Sequence, residues 1–130
     1  ESACANLADA LQAQVERFAP LGVHAMLEVQ GEPGVLERHA ESELLRIAQE
    51  SVTNVLKHAQ ARNVHIRLVW SSDSVTLAIV DDGRGFDLHA HHDGFGLVGM
   101  HERACRIGAA LRVDAAPGRG TRVETCLPTH

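Results

Sequence analysis

Aromatic side chains are nearly missing from this chain, at 3% of 130 residues. Its core must therefore be aliphatic, and a hydrophobic content of 45% is enough to build one. A basic excess is missing too. Twelve Lys and Arg stand against 17 Asp and Glu, a formal charge of -5, whereas a surface for duplex nucleic acid carries clustered basic charge. No apolar run approaches the roughly 20 residues that span a bilayer. The opening ESACANLADALQ does not have the form of a secretion signal. Cysteines are few and scattered. Cys4, Cys105 and Cys126 make no C-x-x-C pair, so three ordinary thiols in a reducing cytosol are expected. The length suits one domain over residues 1–130.

What is present is periodic. Leu7, Leu11, Val15 and Phe18 recur at helical spacing and predict an amphipathic helix ended by APLG. Val23, Ala25, Leu27 and Val29 alternate as in a half-buried strand, and GEPG marks a loop. A second helix is expected from about Ala40 to Ala59, with Leu44, Leu45, Ile47, Ala48, Val52, Val55 and Leu56 toward the core. Val64, Ile66 and Leu68, then Val75, Leu77 and Ile79, alternate on either side of SSDS, the pattern of an antiparallel hairpin. Leu97, Met100, Ala104 and Ile107 predict a third helix. AALRVDAAPGRGTRVETCLP closes the chain as two strands around a Pro-Gly turn. The expected fold is α+β: a two-layer sandwich whose mixed, mostly antiparallel sheet is covered on one face by helices.

Three clusters carry chemistry. Glu50, Asn54 and His58 are four apart in QESVTNVLKHAQ, with Lys57 beside them. Residues at that spacing differ by only about 40° around a helix, so they share a stripe. A solvated face produces such stripes as well. Asn, however, is a poor residue for a helix interior, its carboxamide oxygen is a hard ligand suited to magnesium, and Glu50 is placed to accept a proton. The second cluster, DDGRGFD, follows a strand directly. Asp81 ends that strand, where its carboxylate can accept from an exocyclic amine, and Gly83 and Gly85 allow close backbone approach. The third, GFGLVGM, opens a helix, where exposed amides favour an anion. Gly94, Gly96 and Gly99 do spell G-x-G-x-x-G, but they follow a polar loop rather than a strand, which excludes a dinucleotide fingerprint. No G-K-[ST] follows, which excludes a P-loop. His89, His91 and His92 gather donors in DLHAHHDG, but the segment is short, without an evident partner ligand, and a metal site is not expected there.

In this order, ELLRIAQESVTNVLKHA, DDGRGFD, GFGLVGMHERACRIGAAL and PGRGTRVETCLP, the chain resembles the ATP-binding catalytic domain of bacterial sensor histidine kinases, most of all the branch of the nitrate sensors. The resemblance covers nearly the whole chain and implies the Bergerat-type ATPase sandwich shared with DNA gyrase. It implies ATP and Mg2+ as cofactors. By position, Asn54 matches the magnesium ligand that holds the triphosphate. Glu50 matches the acidic residue thought to help the attacking group, the one catalytic assignment. Lys57 and His58 match the pair facing phosphate and sugar. Asp81 matches the aspartate that takes the adenine amino group, with Gly83 and Gly85 lining the same pocket. Gly94, Gly96 and Leu97 match the second glycine motif beneath the ATP lid, and Thr121 a threonine close to adenine.

The lid, Phe86 to Asp93, is short, in keeping with that branch. Gly108-Ala109 stands where the family often has two glycines, which leaves that turn's geometry open. None of the nine histidines has the family's phosphoacceptor context. The chain is therefore expected to be a fragment, monomeric by itself. By the resemblance it would phosphorylate a histidine on a dimerisation domain of the same homodimeric protein, for relay to a response regulator, in the cytoplasmic portion of a sensor. Two alternatives stay open within the fold: an anti-sigma-factor-type serine kinase, and a non-catalytic ATP-sensing module.

Overall fold

The computed structural model describes residues 3–85 and 96–129. The chain begins with helix α1 (Ala3–Glu16) and a 3-10 turn (Ala19–Leu21), then strand β1 (His24–Gln30). Helix α2 (Arg38–Asn54) continues into a single π turn (Val55–Ala59). Strands β2 (Asn63–Trp70) and β3 (Ser74–Asp81) follow, then helix α3 (Leu97–Arg106), β4 (Ala110–Ala115) and β5 (Thr121–Pro128).

The five strands lie in the order β1-β2-β3-β5-β4. β1 runs parallel to β2 and every other neighbouring pair is antiparallel. The parallel pair needs a long crossover, which α2 supplies, whereas SSDS is enough for the β2–β3 hairpin. β5 inserts between β3 and β4, so its first residue, Thr121, stands opposite Asp81. That pairing is what brings the last motif beside the second.

The alternation of the strands decides their faces. Val64, Ile66, Leu68 and Trp70 of β2, and Val75, Leu77 and Ile79 of β3, are buried against the helices. Leu7, Leu11, Leu44, Ala48 and Val52 meet them from the other layer. The core is aliphatic apart from Phe18 and Trp70. Leu45 and Leu56, expected in the core, are half-buried at its margin. A smaller cluster under α3 joins Ile47, Met100, Ala104 and Val123. The opposite face of the sheet is charged: Glu28 pairs with His65 at 3.0 Å and Arg67 at 3.4 Å, and Arg112 with Asp114 at 3.0 Å. Burying that face would strip water from Glu28, Arg67, Arg112 and Asp114, so the sandwich stays at two layers.

α3 closes on a Schellman motif. Ala109 N–H donates to Ala104 O at 2.9 Å and Gly108 N–H to Cys105 O at 3.1 Å. Only Gly108 needs a positive φ, +73°, so Ala109 fits the turn without strain. Among the described residues, no helix is long and apolar enough to cross a membrane.

Candidate functional site

Between the end of α2 and the end of β3 lies a cleft of about 410 Å3, its open mouth included. Ser51, Asn54, Val55, His58 and Ala59 form its helix side. Ile79, Asp81, Gly85, Thr121 and Val123 form its sheet side, and Leu97 stands at the start of α3. Most of the lining is apolar, with a few convergent polar groups, as ligand pockets generally are.

Asp81 is the polar group on the sheet side. It is only 6% exposed, and burial pushes its carboxyl above the usual range. The Gly83 N–H donates to Asp81 Oδ1 at 2.8 Å and works against that rise, which the neighbouring Asp82 charge reinforces. Asp82, next in sequence, has another task. Its Oδ1 accepts from the N–H groups of Arg62 and Asn63, both at 2.9 Å, and its Oδ2 from Asn63 Nδ2 at 2.8 Å. These bonds, the Asn63 side chain first, hold its carboxyl below the usual range. Asp82 thereby ties the end of β3 to the start of β2 and leaves Asp81 turned to the cleft.

The helix side departs from one continuous α-helix to Ala59. The α-helix ends at Asn54 and a wider π turn carries Val55–Ala59, closing on Gln60 at φ +52°. π turns recur at functional sites because they re-aim the side chains that follow. Asn54 and His58 both line the cleft in spite of the altered turn. Lys57 is exposed and outside the lining. Glu50 is half-buried, and its carboxylate packs beside Gly96: a Cβ there would stand 3.0 Å from Glu50 Oε1. Gly83 presses against the π turn, where a Cβ would meet the Ala59 carbonyl oxygen at 2.2 Å.

The structure therefore gathers Asn54, His58, Asp81, Gly85, Leu97 and Thr121 in one cleft, with Gly83, Glu50 and Gly96 against its walls. Gly94, the lid and the three histidines of DLHAHHDG lie outside the described residues. Ser51, Val55, Ala59, Ile79 and Val123 line the cleft as well, without a site signal of their own in the sequence. A residue such as Ile79 carries only the alternation signal of a core strand, and nothing local separates a core wall from a cleft wall. Ser51 was findable, because it adjoins Glu50 on the helix; its hydroxyl donates to Ile47 O at 2.9 Å and lies 3.5 Å from Met100 Sδ.

α3 lies across α2 through a second polar contact. Glu43, with a side chain 7% exposed, binds Arg103 at 2.8 Å and Arg106 at 3.4 Å. The Arg103 guanidinium, ahead of the Arg106 contribution, holds the Glu43 carboxyl below its usual range against the opposing effect of burial.

A family model described as histidine kinase-, DNA gyrase B-, and HSP90-like ATPase matches residues 39–130. The signal transduction histidine-protein kinase/phosphatase DegS of Brevibacillus brevis is 37% identical over 91 residues, 69% of this chain and 24% of that protein. The sensor protein VraS of Staphylococcus epidermidis is 36% identical over 91 residues, 69% of this chain and 26% of that one. The chain thus spans about a quarter of the length of these relatives. Among solved structures, the histidine kinase domain of the Erythrobacter litoralis EL346 blue-light activated histidine kinase aligns with a TM-score of 0.76 at 21% identity, over 98% of this chain and 61% of that one. The catalytic domain of the histidine kinase ThkA aligns at 0.77 and 12% identity, over 95% of this chain and 92% of that one. At such identities these two structures speak for the fold. With 92 of its 130 residues inside the family model, residues 39 to 130 inclusive, the chain belongs to the histidine kinase-, DNA gyrase B- and HSP90-like ATPases.

Proposed function

We propose that this chain is the ATP-binding catalytic module of a sensor histidine kinase. The observation that carries the reading is the facing of Asp81 and Asn54 across one cleft, a buried carboxylate at its sheet side and a carboxamide at its helix side. Asp81 accepts the adenine amino group, while Gly83, Gly85 and Thr121 shape the pocket around the base and Leu97 closes it. Gly96, at the start of α3, leaves room for the phosphates. His58 faces the sugar and phosphates, and Lys57 at the exposed rim adds a compact positive charge.

The donor set fits magnesium that arrives with the nucleotide. Asn54 offers one hard oxygen, and Mg2+ commonly keeps several waters and takes its remaining ligands from phosphates. When bound, it would supply charge neutralisation on the triphosphate. The chain's own contribution is positioning: Asp81 fixes the base, Asn54 the triphosphate end, and Glu50 orients the incoming imidazole. An imidazole nitrogen of the acceptor attacks the γ-phosphorus. The N–P bond forms as the bond to the β,γ-bridging oxygen breaks, and ADP leaves. The acceptor histidine belongs to a dimerisation domain of the same protein, and the phosphoryl group passes on to a response regulator. The intact protein is a homodimer with this module in the cytoplasm.

The test supplies the chain with magnesium, ATP and a dimerisation domain carrying the acceptor. Labelled phosphate on that domain that survives alkali and is lost in acid supports transfer to histidine. Alkali-labile, acid-stable phosphate identifies a serine kinase, and no transfer with intact ATP binding identifies a sensing module.

A further inference from the structure

Arg84 lies between the two glycines of DDGRGFD, and the roles above leave it unused. Its contacts are specific. The Arg84 N–H donates to Ala59 O at 2.8 Å, and its Nε donates to His58 O at 2.6 Å. Its own carbonyl accepts from the Gly118 N–H, in the turn between β4 and β5. One residue thus ties together the end of the helix, the loop after β3 and the turn that leads to Thr121.

The helix end needs such a partner. The chain leaves the π turn through Gln60 at φ +52°, so the helix does not continue and the last carbonyls lose the amides that would have followed them. Ala59 is buried, and its carbonyl has the Arg84 amide in place of water. A guanidinium at His58 O also suits the negative end of the helix dipole. Gly83 must be glycine for the same approach, because a Cβ there would stand 2.2 Å from Ala59 O.

We infer that Arg84 is a positioning residue that holds the π turn in register, and so sets where Asn54 and His58 stand in the cleft. The inference deepens the nucleotide reading and rests on it for its functional consequence. A plain helix cap would stabilise the fold without caring which ligand is bound. The positional role predicts a selective effect, because Arg84 is exposed, and water can replace Nε at His58 O without opening the core.

The variants are Arg84→Met, which keeps the stem and removes the side-chain donor, and Arg84→Lys, which returns one donor. Two measurements apply to both. The first is the ring-proton NMR signal of His58 in the ligand-free chain, assigned with His58→Gln. The second is calorimetric affinity for magnesium and an ATP analogue, set against adenosine, which reaches only the base pocket. The expected result is a displaced His58 signal and about tenfold weaker ATP-analogue binding in Arg84→Met, with adenosine within about twofold of the parent. Arg84→Lys should bring both readouts most of the way back. An unmoved His58 signal overturns the inference. So do equal losses for both ligands, or a Lys variant no better than Met. If the parent chain binds neither ligand while the His58 signal moves, the nucleotide reading fails and the hold on the helix end stands.

Discussion

In the loop after β3, a methyl group on Gly83 would stand 2.2 Å from the Ala59 carbonyl oxygen, and one on Gly85 2.1 Å from that of Ala116. At the start of α3, a methyl group on Gly96 would stand 3.0 Å from the end of the Glu50 side chain, and one on Gly99 would meet nothing within 4 Å. The two glycine motifs look alike as text and wall the same cleft. The first is packed on both sides by backbone, which cannot retreat. The second faces a flexible carboxylate and open space. One loop is framework that fixes where Asp81 and the helix end stand. The other opens α3 beside Glu50. The difference teaches that glycine in a nucleotide-site motif need not mark ligand contact: at Gly83 it marks contact between two parts of the protein.

The contrast can be broken at its strong end first. Gly83→Ala or Gly85→Ala should cost about 2–4 kcal/mol in urea denaturation, from overpacking against backbone and, at Gly85 with φ +65°, from left-handed strain. Ligand affinity should then be lost through the fold.

Asp81→Asn comes next, and it acts on the framework side with the opposite sign. A carboxyl whose pKa is raised by burial binds its proton more tightly when folded. Its contribution to stability is therefore present below the ordinary carboxylate range and is lost as pH rises through the raised value. Asn retains an acceptor for the Gly83 amide and carries no charge, so the variant should be more stable than the parent at neutral pH. The gap should close toward about pH 4. Glu43 and Asp82, whose carboxyls are lowered, shift stability the other way, losing it as pH falls. Glu43 does so in both chains, so the difference between melting curves reports Asp81 together with its coupling to Asp82. Preference for ATP over GTP should fall in the same variant.

Smaller effects belong to the second loop. Gly96→Ala should cost about 1 kcal/mol, from the left-handed φ of +66° with Glu50 swinging aside, and should weaken ATP binding more than that stability loss alone explains. Gly99→Ala should gain up to about 1 kcal/mol, since a methyl group there has room and a helix interior favours Ala. Thermal melts read both. A Gly99→Ala loss as large as that of Gly83→Ala would erase the contrast.

Much of this architecture was legible because periodicity is a local property. The alternation of Val64, Ile66 and Leu68 and the i, i+4 pattern of Leu7 and Leu11 each fix a buried face without knowledge of the partner. Glu50, Asn54 and His58 were legible because three polar groups on one helical stripe ask for an explanation. The π turn was not: the helix end there meets Arg84 and Gly83, which lie more than twenty positions away. Asp82 adjoins Asp81 in the same motif, yet one is a strand tie to Asn63 and the other a cleft wall. Glu43, Arg103 and Arg106 were spread over two predicted helices, and only the crossing of α3 over α2 brings them together.

On the proposed reading, the cleft between Asp81 and Asn54 holds ATP, with magnesium at the Asn54 end. Calorimetric titration of the chain and of Asn54→Ala, with ATP or a non-hydrolysable analogue, with and without magnesium and with GTP as control, tests it most directly. The parent should bind ATP in a magnesium-dependent, adenine-selective way. In Asn54→Ala the magnesium dependence should vanish while the melting curve stays close to that of the parent. Equal affinity in the two chains, or binding indifferent to magnesium and base, would contradict it.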